Sequence, residues 1–228
     1  MARGLSLVRT RGSRAGLDLA KIVTTARGMA PADLTMKAVA NELGVDPKAL
    51  NYHVADRESL LALVSTDAFS SNFATVDIGE DSSWQAACRI FAEGFAASLI
   101  ETGLLVEHFR LGHSLAIGFL KPGEALLNKM SAAGFDEETA ARLAHLLANI
   151  CIGCARDVII TSRNGRVLAG NIRKALEASE AEEFETLSRL LEAGVPIDSG
   201  KQLDLGISLF LIGAEEHLRL TAPARAPA

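Results

Sequence analysis

Three cysteines, an odd number, are too few to build a disulfide framework into 228 residues. They are Cys88, Cys151 and Cys154, and such sparing use fits a reducing compartment. No run of apolar residues reaches the ~18–20 that a bilayer crossing needs. The opening stretch MARGLSLVRTRGSRAG is basic but has neither a long apolar segment nor a cleavage site, so it does not read as a signal peptide. A cytoplasmic protein without membrane contact is the expectation. Strand signals are scarce, because β-branched residues rarely alternate with polar ones. Catalytic fingerprints are missing as well: there is no P-loop, no dinucleotide-binding glycine pattern, no HExxH and no nucleophile elbow. We therefore expect no catalytic residue, no cofactor and no resident metal.

What is present is apolar and periodic. Hydrophobic residues make up 49% of the chain, enough for a substantial core. Alanine and leucine dominate and recur at three- and four-residue spacing, which predicts an all-α fold. The net charge of −5 conceals an uneven distribution. Residues 1–60 hold 9 Lys/Arg against 6 Asp/Glu, a balance of +3, whereas residues 61–228 hold 14 against 22, a balance of −8. A basic first segment on an acidic body suggests that only the first part meets a polyanion, although a solvated basic tail gives the same count. Composition and breaks divide the chain into a basic arm over 1–15, a small helical unit over 16–63 and a larger helical unit over 64–228.

The small unit opens with a helix over about 16–28, whose stripe is Leu19, Ile22, Val23 and Ala26, with Gly28 at its end. A second helix runs from about Thr35 to Leu43. The stretch GVDPKALNYH over 44–53 then carries a stop and a restart. Gly44 suits a left-handed helix end, Val45 can tuck into the turn, Asp46 is a good N-cap, and Pro47 suits the first helical position. Asp56 caps a further restart, from Arg57 to about Phe73, with Leu60, Leu61, Val64 and Phe69 on its buried side.

Two short helices joined by a Gly-containing turn, inside a three-helix unit, are the helix-turn-helix pattern. Its second helix can enter a major groove with its first residues on base edges. Lys48 can reach a phosphate or a guanine edge, and Ala49 is small enough for close approach. Asn51 and Tyr52 offer hydrogen bonds, His53 and Arg57 can hold the backbone, and Leu50 anchors the helix from below. A helical hairpin that merely packs would show the same spacing.

From Ile22 to Leu61 the chain resembles the DNA-binding domain of the TetR family of transcriptional repressors. The matching features are the apolar first helix ending before Leu34-Thr35, then MKAVANELGV, PKALNYHV and DRESLL, over about 40 residues. The resemblance implies DNA contacts from Met36 and Lys37 at the start of the second helix. It implies further contacts from Pro47, Lys48, Ala49, Asn51, Tyr52 and His53 on the recognition helix, and from Arg57 beyond it. The chain departs from the family at one place. Asn51 stands where members usually carry a tyrosine directly after the recognition-helix leucine, and Tyr52 follows it. The basic arm, with Arg3, Arg9, Arg11 and Arg14, would reach along the adjacent groove or stay disordered.

Beyond a polar break over 77–83, we expect helices at about 84–102, 104–112, 122–133, 136–163, 168–178, 180–193 and 200–220. The breaks between them include Lys121-Pro122-Gly123, Gly134, Asn164-Gly165 and Gly194-Val195-Pro196. The helices over 136–163 and 200–220 are apolar on more than one side, so something beyond one core must bury them, and a second subunit is an economical choice. The family resemblance implies the same: an all-helical dimerisation and effector-binding domain, a homodimer on a palindromic operator, and release by a small apolar molecule. For that molecule the candidate residues are Phe91, Phe95, His108, Phe109, His113 and Asn149, with Phe119 and Met130 nearby, since polar atoms among aromatics suit a small-molecule site. An ordinary core needs the same aromatic stripe. Cys151 and Cys154 share a helix face, but two cysteines on an apolar helix are weak evidence for metal or redox sensing.

Three functions remain in play. The leading one is a ligand-responsive DNA-binding repressor. The others are an all-helical enzyme with a structural N-terminal unit and an architectural DNA-binding protein without a ligand.

Overall fold

The computed structural model describes residues 17–110, 117–164, 167–178, 184–194 and 200–221. The basic arm, His113, the turn at Gly165, Val195-Pro196 and the tail beyond Thr221 lie outside the described residues. Among those described, all regular structure is helical. The chain divides into two compact units, Met1–Val64 and Ser65–Ala228, and the division falls inside a helix.

The first unit is assembled from capped short helices. Helix α1 (Leu19–Arg27) starts where the Asp18 carboxylate accepts the Lys21 N–H at 2.8 Å. It buries Ile22, Val23 and Ala26. Gly28 closes it in the right-handed conformation (φ −75°), so no left-handed residue is needed there. Helix α2 (Met36–Leu43) starts at Thr35, whose hydroxyl accepts the Ala38 N–H at 3.1 Å. It ends at Gly44, which does take the left-handed conformation (φ 66°). The Val45 N–H then reaches back to the Ala40 carbonyl at 3.0 Å, a Schellman closure. Helix α3 (Pro47–Leu50) restarts two residues later, capped by Asp46 onto the Lys48 N–H at 2.8 Å. α1 packs on α2 and α2 packs on α3. Leu34, Val39, Ala40, Leu50 and Val54 are buried. Helix α4 (Arg57–Phe73) begins in this unit, where Asp56 accepts the Ser59 N–H at 2.8 Å. Those hydrogen bonds from Ser59 hold the Asp56 carboxyl below its ordinary range.

The second unit centres on α5 (Trp84–Glu101), which packs against α6 (Ile117–Ala132), α7 (Glu137–Asn164), α10 (Gly200–Thr221) and a 3₁₀ turn over Gly103–His108. α8 (Val167–Glu177) and α9 (Glu185–Glu192) pack on each other, and α9 buries no residue. Phenylalanines dominate the core. Phe69 and Phe73 of α4 meet Phe95 with ring centroids 4.7 and 5.3 Å away, and Phe73 meets Phe91 edge-on at 5.2 Å. Gly118 of α6 lies so close to the Ser70 backbone of α4 that a Cβ there would collide with the Ser70 carbonyl.

Three sequence expectations need correction. The helix expected over 104–112 is a 3₁₀ turn that stops at His108, with Phe109 already extended. The break expected at Lys121-Pro122-Gly123 is absent, and α6 runs through Pro122. Proline there forgoes one bond, to Gly118, but Pro122, Leu126 and Met130 share one buried face at i, i+4 and i+8. That packing holds the helix together. Finally, α7 is long and apolar enough over Glu137–Ser162 to cross a bilayer by length and composition. Counting uninterrupted apolar runs missed this, because Arg142, Arg156 and Asp157 interrupt the stretch. The helix is partly a core element: Leu147, Cys151, Ala155 and Ile159 are buried in the phenylalanine-rich core.

Candidate nucleic-acid interface

The recognition element is short. α3 has one helical turn, and a turn over 51–53 extends it, with the His53 and Val54 N–H groups bonded to the Leu50 carbonyl at 2.8 and 2.9 Å. Leu50 is fully buried and Val54 is 2% exposed, so the two apolar residues pin the element from beneath. Everything on its other side is free for a partner. Pro47, Lys48, Asn51 and His53 are exposed, Ala49 is half-buried, and Tyr52 is 89% exposed. An aromatic ring so fully in water makes no contribution to the fold, which is unusual for this residue type.

Met36 is half-buried and Lys37 exposed at the start of α2, and α2 packs directly on α3. Among the described residues, no ion pair involves the side chain of Lys37 or Lys48. Their ammonium groups are therefore available to an anion.

Arg57 is placed differently. Its Nε donates to the Leu34 carbonyl at 2.7 Å, and its Nη2 reaches the Pro31 carbonyl at 3.5 Å. It thus ties the start of α4 to the α1–α2 loop, a role that linear spacing does not reveal because its partners are 23 and 26 residues away. A guanidinium has five donors, so this bracing leaves others for a phosphate.

The effector candidates separate. Phe91, Phe95 and Phe109 come together in the aromatic cluster, all nearly fully buried, with Phe95 and Phe109 rings 6.2 Å apart and Phe119 6.3 Å from Phe95. Phe69 and Phe73 belong to the same cluster. Their i, i+4 spacing in α4 is the sequence signal for it, and that spacing equally fits an ordinary core. His108 is half-buried at the end of the 3₁₀ turn, one residue from Phe109. Asn149 is not brought to this cluster. It is exposed on the face of α7 that also carries Leu146, Gly153 and Ile160.

The cysteines are chemically quiet. The Cys151 thiol donates to the Ala92 carbonyl at 3.4 Å, and burial pushes its pKa up to about 12. Burial raises Cys88 to about 12 as well. Cys154, half-buried, is raised by burial and then by the Asp157 charge. Raised thiols hold their protons and lose nucleophilicity. Among the described residues no three His, Cys, Asp or Glu side chains cluster as metal ligands would.

No protein-family model matches this chain, and no curated protein does. Solved structures do. ActR from Streptomyces coelicolor, in its apo form, is 25% identical with a TM-score of 0.70, covering 90% of this chain and 99% of its own. A protein described as a possible TetR family transcriptional regulator from Streptomyces coelicolor A3(2) is 22% identical at TM-score 0.68, with 88% and 100% covered. TetR-Q116A from Acinetobacter baumannii AYE, solved with minocycline, is 15% identical at TM-score 0.60, with 91% and 99% covered. ActR has also been solved with actinorhodin and with (S)-DNPA.

Proposed function

We propose, for a chain with the fold of the TetR family of transcriptional regulators, a homodimeric repressor that binds a palindromic DNA operator and releases it when a small, largely apolar molecule binds. The observation that carries the reading is the recognition element. Leu50 and Val54 are sunk in the core, while Lys48, Asn51, Tyr52 and His53 stand in water without structural work. Such a tip supplies phosphate contacts and base-edge donors in a major groove. In this reading Met36, Lys37, Pro47, Ala49 and Arg57 flank it on the DNA.

The dimer reading rests on what the second unit leaves uncovered. Leu146 and Ile160 of α7 are 50% and 40% exposed, and Leu205, Leu209, Ile212 and Leu220 of α10 are 52% to 67% exposed. The two helices pack side by side, with Gly206 of α10 close against Ile150 of α7. Only 28% of the most apolar 18-residue stretch of α7 is buried by its own chain. Two copies meeting on this face would form a four-helix interface and present two recognition tips to half-sites about one DNA turn (~34–36 Å) apart. A ligand that favours another spacing of the tips would weaken operator binding by its differential affinity for the two states. Ligand-bound relatives, ActR with actinorhodin and TetR-Q116A with minocycline, support the effector-responsive half of the reading.

The test is selection of bound duplexes from random DNA at fixed salt, with and without a panel of apolar compounds. The expected result is one palindromic site, lost with one compound. Lys48→Ala should weaken that site about tenfold or more and flatten the log–log salt dependence by ~0.9, with the circular dichroism unchanged. A library in which no duplex is preferred, even at low salt, sinks the reading.

A further inference from the structure

Arg156 is the one cation on the long apolar stretch of α7 that turns inward. It is half-buried, its Nη2 donates to the Phe109 carbonyl at 3.2 Å, and its Nε is shielded from solvent with no hydrogen-bond partner among the described residues. It forms no ion pair among the described residues. Native proteins leave few such donors unpaired, because an orphaned donor on a buried charged group is costly. Arg110 converges on the same place, its Nη1 donating to the Phe109 carbonyl at 3.0 Å and to the Glu107 carbonyl at 2.7 Å. Two guanidinium groups thus share one neutral backbone oxygen. Phe109 itself is the corner of the aromatic cluster, its ring 4.8 Å from Phe69 and 6.2 Å from Phe95.

We infer that the effector is an aromatic acid, with Arg156 holding its carboxylate at the edge of the phenylalanine cluster. Nε and Nη2 form the side-on edge of a guanidinium, whose spacing matches the two oxygens of a carboxylate. A carboxylate on that edge would satisfy the orphaned Nε and give Nη2 a charged acceptor in place of the Phe109 carbonyl. Because Nε has no solvent exposure in this state, occupation requires the Phe109 carbonyl to yield its place. An uncharged ring system of the same size would leave Nε unpaired. The inference rests on the effector-responsive reading above and narrows its ligand to an apolar ring system with one acidic group.

The probes are 2-anthracenecarboxylate and its methyl ester, which share their rings and differ in charge, titrated by fluorescence into the full-length protein. The acid is expected to bind at least about tenfold tighter than the ester, the gain of a charge-assisted bidentate pair. Arg156→Met should erase that preference. Arg156→Lys, which keeps the charge but not the fork, should restore only part of it. Equal binding of acid and ester to the wild type overturns the inference, as does a preference that survives Arg156→Met. If Arg156→Met does not fold, the wild-type comparison together with Arg156→Lys decides. If neither probe nor any compound of the selection panel binds while operator selection succeeds, the effector reading fails and this inference with it.

Discussion

The two units of this chain solve opposite surface problems. In the first, the largest exposed apolar residues are Leu19 at 41% and Tyr52 at 89%, and Tyr52 carries a hydroxyl. Among the described residues of the second, eleven large apolar side chains are exposed, from Phe184 at 36% to Leu220 at 67%. A small unit with few buried side chains has little apolar surface to spare, and the polar groups it exposes suit a polar, charged partner. The larger unit has an interior of its own and still leaves leucines in water. Surfaces of that kind meet other apolar surfaces. In the function proposed above, the first unit meets nucleic acid and the second meets another copy of the chain and a ligand.

This contrast can be broken most forcefully at the core of the larger unit. Phe95 is fully buried among Phe69, Phe73, Phe91 and Phe109. Phe95→Ala should cost about 3–5 kcal/mol of stability, read by urea unfolding of full-length protein, while the first unit keeps its helical signal to a higher urea concentration. Loss of both units together at one midpoint would show that they are not energetically separable. Next in size is the uncovered face. Leu209→Glu with Ile212→Glu should lower dimer affinity at least about a hundredfold, since each side chain is worth ~1.5–3 kcal/mol when buried. Light scattering would read the mass and gel shift the operator binding. A variant that stays dimeric moves the interface elsewhere. The smallest effect sharpens the first unit. Gly44→Ala forces a Cβ into a left-handed residue and should cost about 1 kcal/mol, seen as a lower melting temperature; nothing lies within 4 Å of that Cβ, so strain alone is measured.

The first unit is largely legible in its sequence, for a local reason. Asp18, Thr35, Asp46 and Asp56 each cap a helix through a backbone N–H two or three residues away, and Gly44 ends one through its own φ. Interactions that close within a turn leave their signature in adjacent residues. Arg57 shows the limit. Its side chain suggested a phosphate contact, but its bracing of the Leu34 and Pro31 carbonyls depends on how α4 is brought back against the α1–α2 loop. Pro122 shows the same limit in the larger unit: a proline reads as a break until the buried face it shares with Leu126 and Met130 is known.

Residue order alone determined that the chain would be helical, that a capped stop and restart would fall at Gly44–Pro47, and that a polar tip would follow. Caps, glycine stereochemistry and helical periodicity are short-range, and each acts on neighbours the covalent chain already supplies. Tertiary packing decided which aromatics would gather, that Asn149 would be exposed away from them, and that the Arg156 guanidinium would meet the carbonyl of Phe109. Those outcomes depend on close contacts between residues dozens of positions apart, and only the folded volume of the core selects among them.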